Sequence, residues 1–276
     1  MMDYEELKRL QKKAREIRRL IIKTAYESGR LGHTGPAMSV VDICTALYYK
    51  FMRVDPKKPD WEDRDRMVLS KGHGCMVLYA ILADKGYFPL DELKKLRYPG
   101  SILQGHPSME KTPGIDMTTG SLGNGLGAGL GMAYYLKLLG KSSKAFVILG
   151  DGEMNEGTVW EAVIEAPVLG VENLIAIIDM NSFQSAGLTR EICPMNNMKQ
   201  RWEPFGWKVL EINGHDMAGI VSALDLAVNY KGGPVCIVAE TVKGKGVSFM
   251  EHNNDFHQKL ITKELYDKAM AELGGE

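Results

Sequence analysis

Four cysteines are scattered through the 276 residues, and no two of them form a CxxC pair. Cys44, Cys75, Cys193 and Cys236 stand in apolar or mixed sequence, where a thiol serves as a small core residue, so no disulfide scaffold or cysteine-held metal is indicated. No run of about eighteen apolar residues is present to span a membrane. The opening Met-Met-Asp-Tyr-Glu-Glu is acidic, unlike the basic start of a signal peptide. Charge of one sign is also missing: 34 basic against 35 acidic residues leave a net charge of −1, which gives no field to draw the chain to nucleic acid or anionic lipid. Repeats, low-complexity tracts and linkers are absent. These absences point to a cytoplasmic chain forming one domain over residues 1–276, long for a single domain but with 45% hydrophobic content to fill a core.

What is present begins with Gly150-Asp151-Gly152, with twenty-eight residues between it and Asn181. Lys144 to Leu149 and Leu174 to Ile178 are short apolar runs of the kind that form strands buried on both faces. Between them, Glu156 to Leu169 carries Val159, Trp160, Val163, Ile164 and Val168 at near-helical spacing. The unit reads strand, helix, strand, a right-handed crossover with both polar clusters at strand carboxyl ends, where open parallel sheets bind ligands. Mg²⁺ prefers six oxygens and commonly takes one or two protein groups plus phosphate and water. Asp151 would supply a carboxylate, Asn181 an amide oxygen, and the Phe183 carbonyl a third ligand. Glycines 150 and 152 would admit an anion to the backbone at a helix start. The alternative is structural: Asp151 opening a turn, and Asn181 ending a strand in left-handed conformation.

Elsewhere the pattern predicts an α/β fold. Asp3 with Glu6 makes a capping-box start to a long helix lined by Leu7, Leu10, Ala14, Ile17, Ile21 and Ala25 and ending near Gly29. Helices are expected over Ser39 to Phe51, Cys75 to Lys85, Met217 to Tyr230 and Thr262 to Leu273. Strands are expected at Met67 to Leu69, Trp207 to Ile212 and Val235 to Ala239, with a loop from Pro56 to Arg66. The segment from Gly123 to Ala133 fits the loose dinucleotide fingerprint, but no apolar strand precedes it, as that motif requires. Its alternating glycine and alanine suit a helix packed closely on another backbone. Lys243 and Lys245, in a glycine-spaced loop, could neutralise phosphate, although a solvated loop is the plainer reading. Four of the six histidines lie in glycine- or proline-flanked loops, where imidazoles reach solvent or ligand.

At this point the residues resemble a known family. Gly150-Asp-Gly through Asn181 is similar to the thiamine diphosphate signature, and Gly150-Asp-Gly-Glu-Met-Asn-Glu-Gly157 resembles its transketolase version. Gly32-His33-Thr-Gly35, Ser70-Lys-Gly72-His73-Gly74, Gly105-His106-Pro107 and Thr118-Thr-Gly120-Ser-Leu122-Gly123 match transketolase segments in the family's order. The resemblance extends over nearly the whole chain. It implies the thiamine diphosphate-binding fold, a central, mostly parallel sheet with helices on both faces, and a site for thiamine diphosphate and Mg²⁺, with Ca²⁺ or Mn²⁺ as substitutes. The implied chemistry is transfer of a two-carbon ketol unit from a ketose phosphate to an aldose phosphate.

Roles follow residue by residue from the same resemblance. His73 contacts the diphosphate and substrate, His106 bonds donor hydroxyls, and His33 assists proton transfer. His257 is the counterpart of the family's last histidine from this domain, although Gln258 replaces the usual glycine and His252 competes for the part. The Gly120 and Leu122 backbone lies beside the cofactor rings, and Glu156 meets its twin across a dimer interface. Ser185 stands where transketolases usually place isoleucine near the thiazolium ring, which leaves the packing there open.

A transketolase chain normally adds a pyrimidine-binding domain and a third domain. This sequence resembles only the first, as in the N-terminal subunit of a split transketolase, so the resemblance implies a partner chain carrying the pyrimidine-binding domain, a heterotetramer with two copies of each, and no activity alone. An α subunit of a 2-oxoacid dehydrogenase would share the metal signature but would not need the His33, His73 and His106 loops together. A 1-deoxyxylulose-5-phosphate synthase resembles this domain but is normally one long chain. A non-catalytic binding module of the same fold is the remaining alternative, favoured where the metal pair persists and the histidines are lost.

Overall fold

A computed structural model describes residues 4–274. Five strands form one parallel sheet: β1 Arg66–Leu69, β2 Ala145–Gly150, β3 Leu174–Met180, β4 Lys208–Asn213 and β5 Val235–Glu240, in the order β1-β2-β3-β5-β4. β2 is buried at every residue and β3 at all but its last, as expected for continuous apolar runs. Alternate residues serve opposite faces: Phe146, Ile148, Ile175 and Ile177 join one core, while Val147, Leu149, Ala176 and Ile178 join the other.

The first face is covered by α1 Tyr4–Glu27, α2 Thr34–Ser39, α3 Val41–Ala46 and α4 Met76–Lys85, while α5 Asn124–Leu138 and α6 Gly157–Val168 cover the second. Short helices α7 Thr189–Ile192 and α8 Met198–Trp202 follow β3, and α9 Met217–Asn229 and α10 Lys263–Glu272 complete the first face. In α1 the expected stripe is buried from Leu10 onward, with Leu10, Ile17, Ile21 and Ala25 fully so, and Leu7 is partly buried against the same core. The capping box expected at Asp3 lies outside the described residues. No helix among the described residues is long and apolar enough to cross a membrane.

One expected helix differs. Instead of a single helix from Ser39 to Phe51, the chain turns helical at Thr34, breaks at Val40, resumes at Val41 and widens into a π turn over Leu47–Phe51. Gly35 belongs to the Gly32-His33-Thr-Gly35 segment, and Pro36 after it falls in a first turn, whose N–H groups need no partner. The early start has a purpose in packing: a Cβ at Gly35 would lie 2.8 Å from the Phe256 carbonyl and 3.3 Å from Lys243 Cγ.

The glycine-rich helix packs as its pattern suggests. A Cβ at Gly125 would overlap Ser70, and one at Gly129 would overlap Val147. On the outward side, Gly127 and Gly131 have open space around their Cβ positions.

Register fixes what meets at the carboxyl edge. Gly150 pairs with Asp179, and Asp179 pairs in turn with Ala239. The residues just past the strands are therefore neighbours: Ser70 and Lys71 after β1, Asp151 after β2, Asn181 after β3, and Thr241 to Lys243 after β5.

Candidate active site

A cleft of about 230 Å³ opens at this edge, lined by residues that include Lys71, His73, Leu122, Asp151, Glu156, Asn181, Phe183 and His257. The floor is an ion pair. Lys71 and Asp179 are both buried, and Lys71 donates to the Asp179 carboxylate. Ser39 Oγ donates to the same carboxylate at 2.8 Å, and Thr241 also donates to it. Burial opposes ionisation of Asp179, but the Lys71 ammonium and the hydroxyl donors hold its carboxyl below the usual range.

Asp179 also orients Asn181. The Asn181 amide donates from Nδ2 to Asp179 at 2.7 Å, so its Oδ1 points the other way, where it accepts the Phe183 N–H at 3.0 Å. Left-handed backbone falls on Ser182 rather than on Asn181, with φ of 69°. Asp151 does open a turn, as its structural reading holds: its Oδ1 accepts the Gly152 N–H at 2.8 Å. Its Oδ2 takes the Thr189 hydroxyl at 3.1 Å. Burial, reinforced by Asp179, raises the Asp151 carboxyl to about 6, so this group has too little positive charge around it.

That deficit is an argument for a cation. Among the described residues no three or more His, Cys, Asp or Glu side chains are grouped to hold a metal. One carboxylate with one amide oxygen matches a hard ion that completes its shell with phosphate oxygens and water. The cleft also holds a spare donor: Gln184 Nε2 is buried without an acceptor. At Gly152 a Cβ would lie 2.7 Å from Gln184 Cγ, so the turn has no room for a side chain there. The residues therefore fit a metal-bound diphosphate.

Above the floor four imidazoles gather from four loops. Ring centres lie 5.7 Å apart for His33 and His73, 5.9 Å for His33 and His106, 5.4 Å for His33 and His257, and 5.2 Å for His73 and His257. His252 is exposed and stands outside this group, whereas His257 lies within it. Gly120, at φ 148°, lies against His106, where a Cβ would come within 3.2 Å of the ring. Burial is the leading cause that lowers all four imidazoles, to about 4 at His33 and about 3 at His257, and well below the ordinary value at His73. His106 adds its repulsion at His33, and Lys243 adds its own at His257. At neutral pH the group is therefore uncharged, able both to donate and to accept protons.

These shifts carry a stability prediction. An imidazole lowered in the folded state lets the unfolded chain take up protons first, so stability is complete above 6.5 and falls as pH drops from 6.5 toward 4. Thermal melts of the chain across that window should show the loss, and His33→Gln should make the curve shallower. A wild-type melting temperature flat over the window would refute the neutral cluster.

Several residues at this site escaped the sequence reading. Lys243 is buried rather than solvated, donating to Asn254 Oδ1 at 2.6 Å and meeting His257 Nδ1 at 2.9 Å. Burial first, then Lys71, lowers its ammonium to about 8. Glu153, not Glu156, is the buried carboxylate of the turn. It accepts from Ser70, from Gly123 N at 2.8 Å and from Gly150 N at 3.0 Å, tying three segments together. Glu156 is exposed on the rim of the cleft, and Ser185 is also exposed at its edge. Lys245 is partly exposed and pairs with Glu251 at 3.2 Å. A larger cavity of about 430 Å³ lies at the amino edge, remote from all these groups. Of its lysines, Lys137 is engaged with the Leu169 and Gly170 carbonyls.

The family model described as transketolase, thiamine diphosphate binding domain, matches residues 10–275. The chain belongs to the transketolase family. It is 43% identical over 267 residues to the 6-deoxy-6-sulfo-D-fructose transketolase subunit SqwG of Clostridium sp. (strain MSTE9), covering 97% of each chain. Against an apulose-4-phosphate transketolase subunit of Actinobacillus succinogenes it is 39% identical, covering 100% of this chain and 98% of the relative. With human transketolase the identity is 35%, over 98% of this chain but 43% of that one. The solved transketolase from Leishmania mexicana superposes with a TM-score of 0.90 at 32% identity, over 96% of this chain and 41% of the other. The chain thus spans under half the length of the full transketolases it matches, and nearly the whole length of two transketolase subunits. Its parallel sheet and helices are those of the family's thiamine diphosphate-binding domain.

Proposed function

We propose that this chain is one diphosphate-binding domain over residues 1–276, acting as the N-terminal subunit of a split transketolase that uses thiamine diphosphate and Mg²⁺. The observation that carries the reading is the convergence, at one sheet edge, of Asp151 and Asn181 with four neutral imidazoles. A non-catalytic module would be favoured by a metal pair without the histidines, and here the four imidazoles stand together. Support for a partner chain comes from the two relatives named as subunits, which match this chain over nearly their whole length.

In this reading Asp151, Asn181 and the Phe183 carbonyl hold the metal, while Gly150, Gly152, His73 and His257 surround the diphosphate. Lys243, which meets His257, adds positive charge beside the cleft, whereas the charge of Lys71 is balanced by Asp179. The cofactor, when bound, supplies the carbon–carbon bond-breaking chemistry. The residues of this chain orient and move protons: His33 and His73 at the reacting hydroxyl, and His106 at the donor sugar. Gly120 and Leu122 line the approach to the cofactor rings, and Glu156 meets its counterpart across a two-fold interface. The partner subunit carries the pyrimidine-binding domain and most of the groups that grip a sugar phosphate, in an assembly with two copies of each chain.

The deciding experiment is reconstitution. Ketol transfer between a ketose phosphate and an aldose phosphate should be absent with this chain alone and should arise when a pyrimidine-domain partner is added. Robust transfer by the chain alone, with contaminating subunits excluded by mass spectrometry, would overturn the split-enzyme reading. In the assembled enzyme, His106→Ala should lower turnover with a hydroxylated donor by about 10²- to 10⁴-fold while leaving cofactor affinity nearly intact. Wild-type turnover in that variant would return His106 to a structural role.

A further inference from the structure

Two side chains from separate parts of the chain, bridged by a third, converge on the backbone of the loop that carries Lys243. Val242 donates its N–H to Nε2 of His215 at 2.8 Å. Arg18, on α1, donates from Nε to the Lys245 carbonyl at 3.0 Å. Asp42, on α3, stands between them. Its carboxylate accepts Arg18 Nη1 at 2.9 Å and Nη2 at 2.6 Å, and lies 2.8 Å from His215 Nδ1. Side-chain exposure is only 7% for Arg18, 11% for Asp42 and 12% for His215. None of the three is among the residues lining the cleft.

The hydrogen bonds fix the tautomer of His215. Because the Val242 N–H is a donor, Nε2 must present its lone pair, and the ring proton then sits on Nδ1, facing Asp42. His215 is anchored at its own base as well, with its N–H on Asn213 Oδ1 at 2.9 Å. Beside it, a Cβ at Gly214 would lie 3.0 Å from the Glu240 carbonyl, so the end of β4 is pressed against the end of β5. Burying a carboxylate, a guanidinium and an imidazole is costly unless every group is paired, and here each is. Both ends of this network terminate on one short loop. From that loop Lys243 reaches inward to Asn254 and His257.

We propose that His215, held by Asp42 and Arg18, is a positioning residue that clamps the 242–245 loop and so sets Lys243 against His257 at the anion-binding cleft. The clamp is read from hydrogen bonds alone, whereas its effect on anion binding rests on the function proposed above. Apolar packing would hold a loop in place but would not select the lone pair that Val242 requires. His215 therefore acts through the backbone, without touching the ligand.

The test has two independent readouts. Nitrogen-15 imidazole spectra of the wild-type chain should show His215 protonated on Nδ1, the less common tautomer in water, and an Nε2–H signal would overturn the clamp. Hydrogen exchange at amides 242–246 should rise about tenfold in His215→Phe, which fills the space without an acceptor, and should return toward wild type in His215→Gln, which restores one. Unchanged exchange in a folded His215→Phe would overturn the proposal. If the phenylalanine variant does not fold, the wild-type tautomer and the glutamine variant still decide. Calorimetry with Mg²⁺-pyrophosphate reads the link to the cleft: affinity should fall about tenfold in His215→Phe and recover in His215→Gln. Equal affinity in wild type and His215→Phe would sever that link and sink the proposal. Failure of the wild-type chain to bind the probe would count against the proposed function, and the tautomer and exchange data would still judge the clamp.

Discussion

Asp151→Ala is expected to abolish Mg²⁺-dependent binding of thiamine diphosphate in the assembled enzyme, raising its dissociation constant by at least about a hundredfold. In the structure Asp151 is a buried cleft carboxylate held by the Gly152 N–H and the Thr189 hydroxyl rather than by an ammonium. Lys71 is committed to Asp179, and Lys243 to Asn254 and His257. Removing Asp151 takes away the anionic ligand through which a divalent ion would bridge protein and diphosphate. Asn181→Ala should cost less, because a water can replace a neutral amide oxygen at a hard cation more readily than it can replace a carboxylate. Calorimetry with and without Mg²⁺ separates the two variants. Unchanged affinity in Asp151→Ala would sink the metal-site assignment.

That site was legible because it follows from chain direction. Two apolar runs, a helical spacer and a polar residue at the end of each run specify a crossover whose ligand edge is known before any contact is seen. Register then placed Gly150 beside Asp179, two residues from Asn181, as the crossover requires. The histidines were legible for a related reason, since glycine-flanked loops can deliver side chains from separate strand ends to a common point. Buried charge was not legible. Lys71, Glu153, Asp179 and Lys243 look like solvated residues in a linear sequence, because burial of an ionic group depends on a partner supplied from elsewhere. Lys71 and Asp179 are 108 residues apart, and Ser70 and Glu153 are 83 apart. A local clue existed for Asp179 alone: a carboxylate inside an otherwise apolar run, at a strand end, needs a cation nearby. The first-face helices show the opposite limit. Leu10, Ile17 and Ile21 declare their face by spacing, whereas the helix at Thr34 was hidden by a Gly-Pro pair whose job is close packing under Phe256.

Lys71→Met is expected to destabilise the fold more than Asp151→Ala, Asn181→Ala or His106→Ala. The substitution keeps most of the side-chain volume and removes the ammonium paired with Asp179, whose side chain has no exposure. Ser39, Thr241 and Asn181 would remain as donors, but neutral donors do not balance a full charge away from water. Breaking a buried pair from one side costs about 3–5 kcal/mol. For a chain of this size, at roughly 2–4 °C per kcal/mol, the melting temperature should fall by on the order of 10 °C. The comparison that isolates charge is the double variant Lys71→Met with Asp179→Asn. It removes both ions, keeps an amide oxygen for the hydroxyl donors, and should recover much of the loss. Asp179→Asn alone should be destabilised too, since it strands the Lys71 ammonium. If Lys71→Met melts within a degree or two of wild type, the pair does not hold the floor of the cleft, and the fixed orientation of Asn181 above it would need another cause.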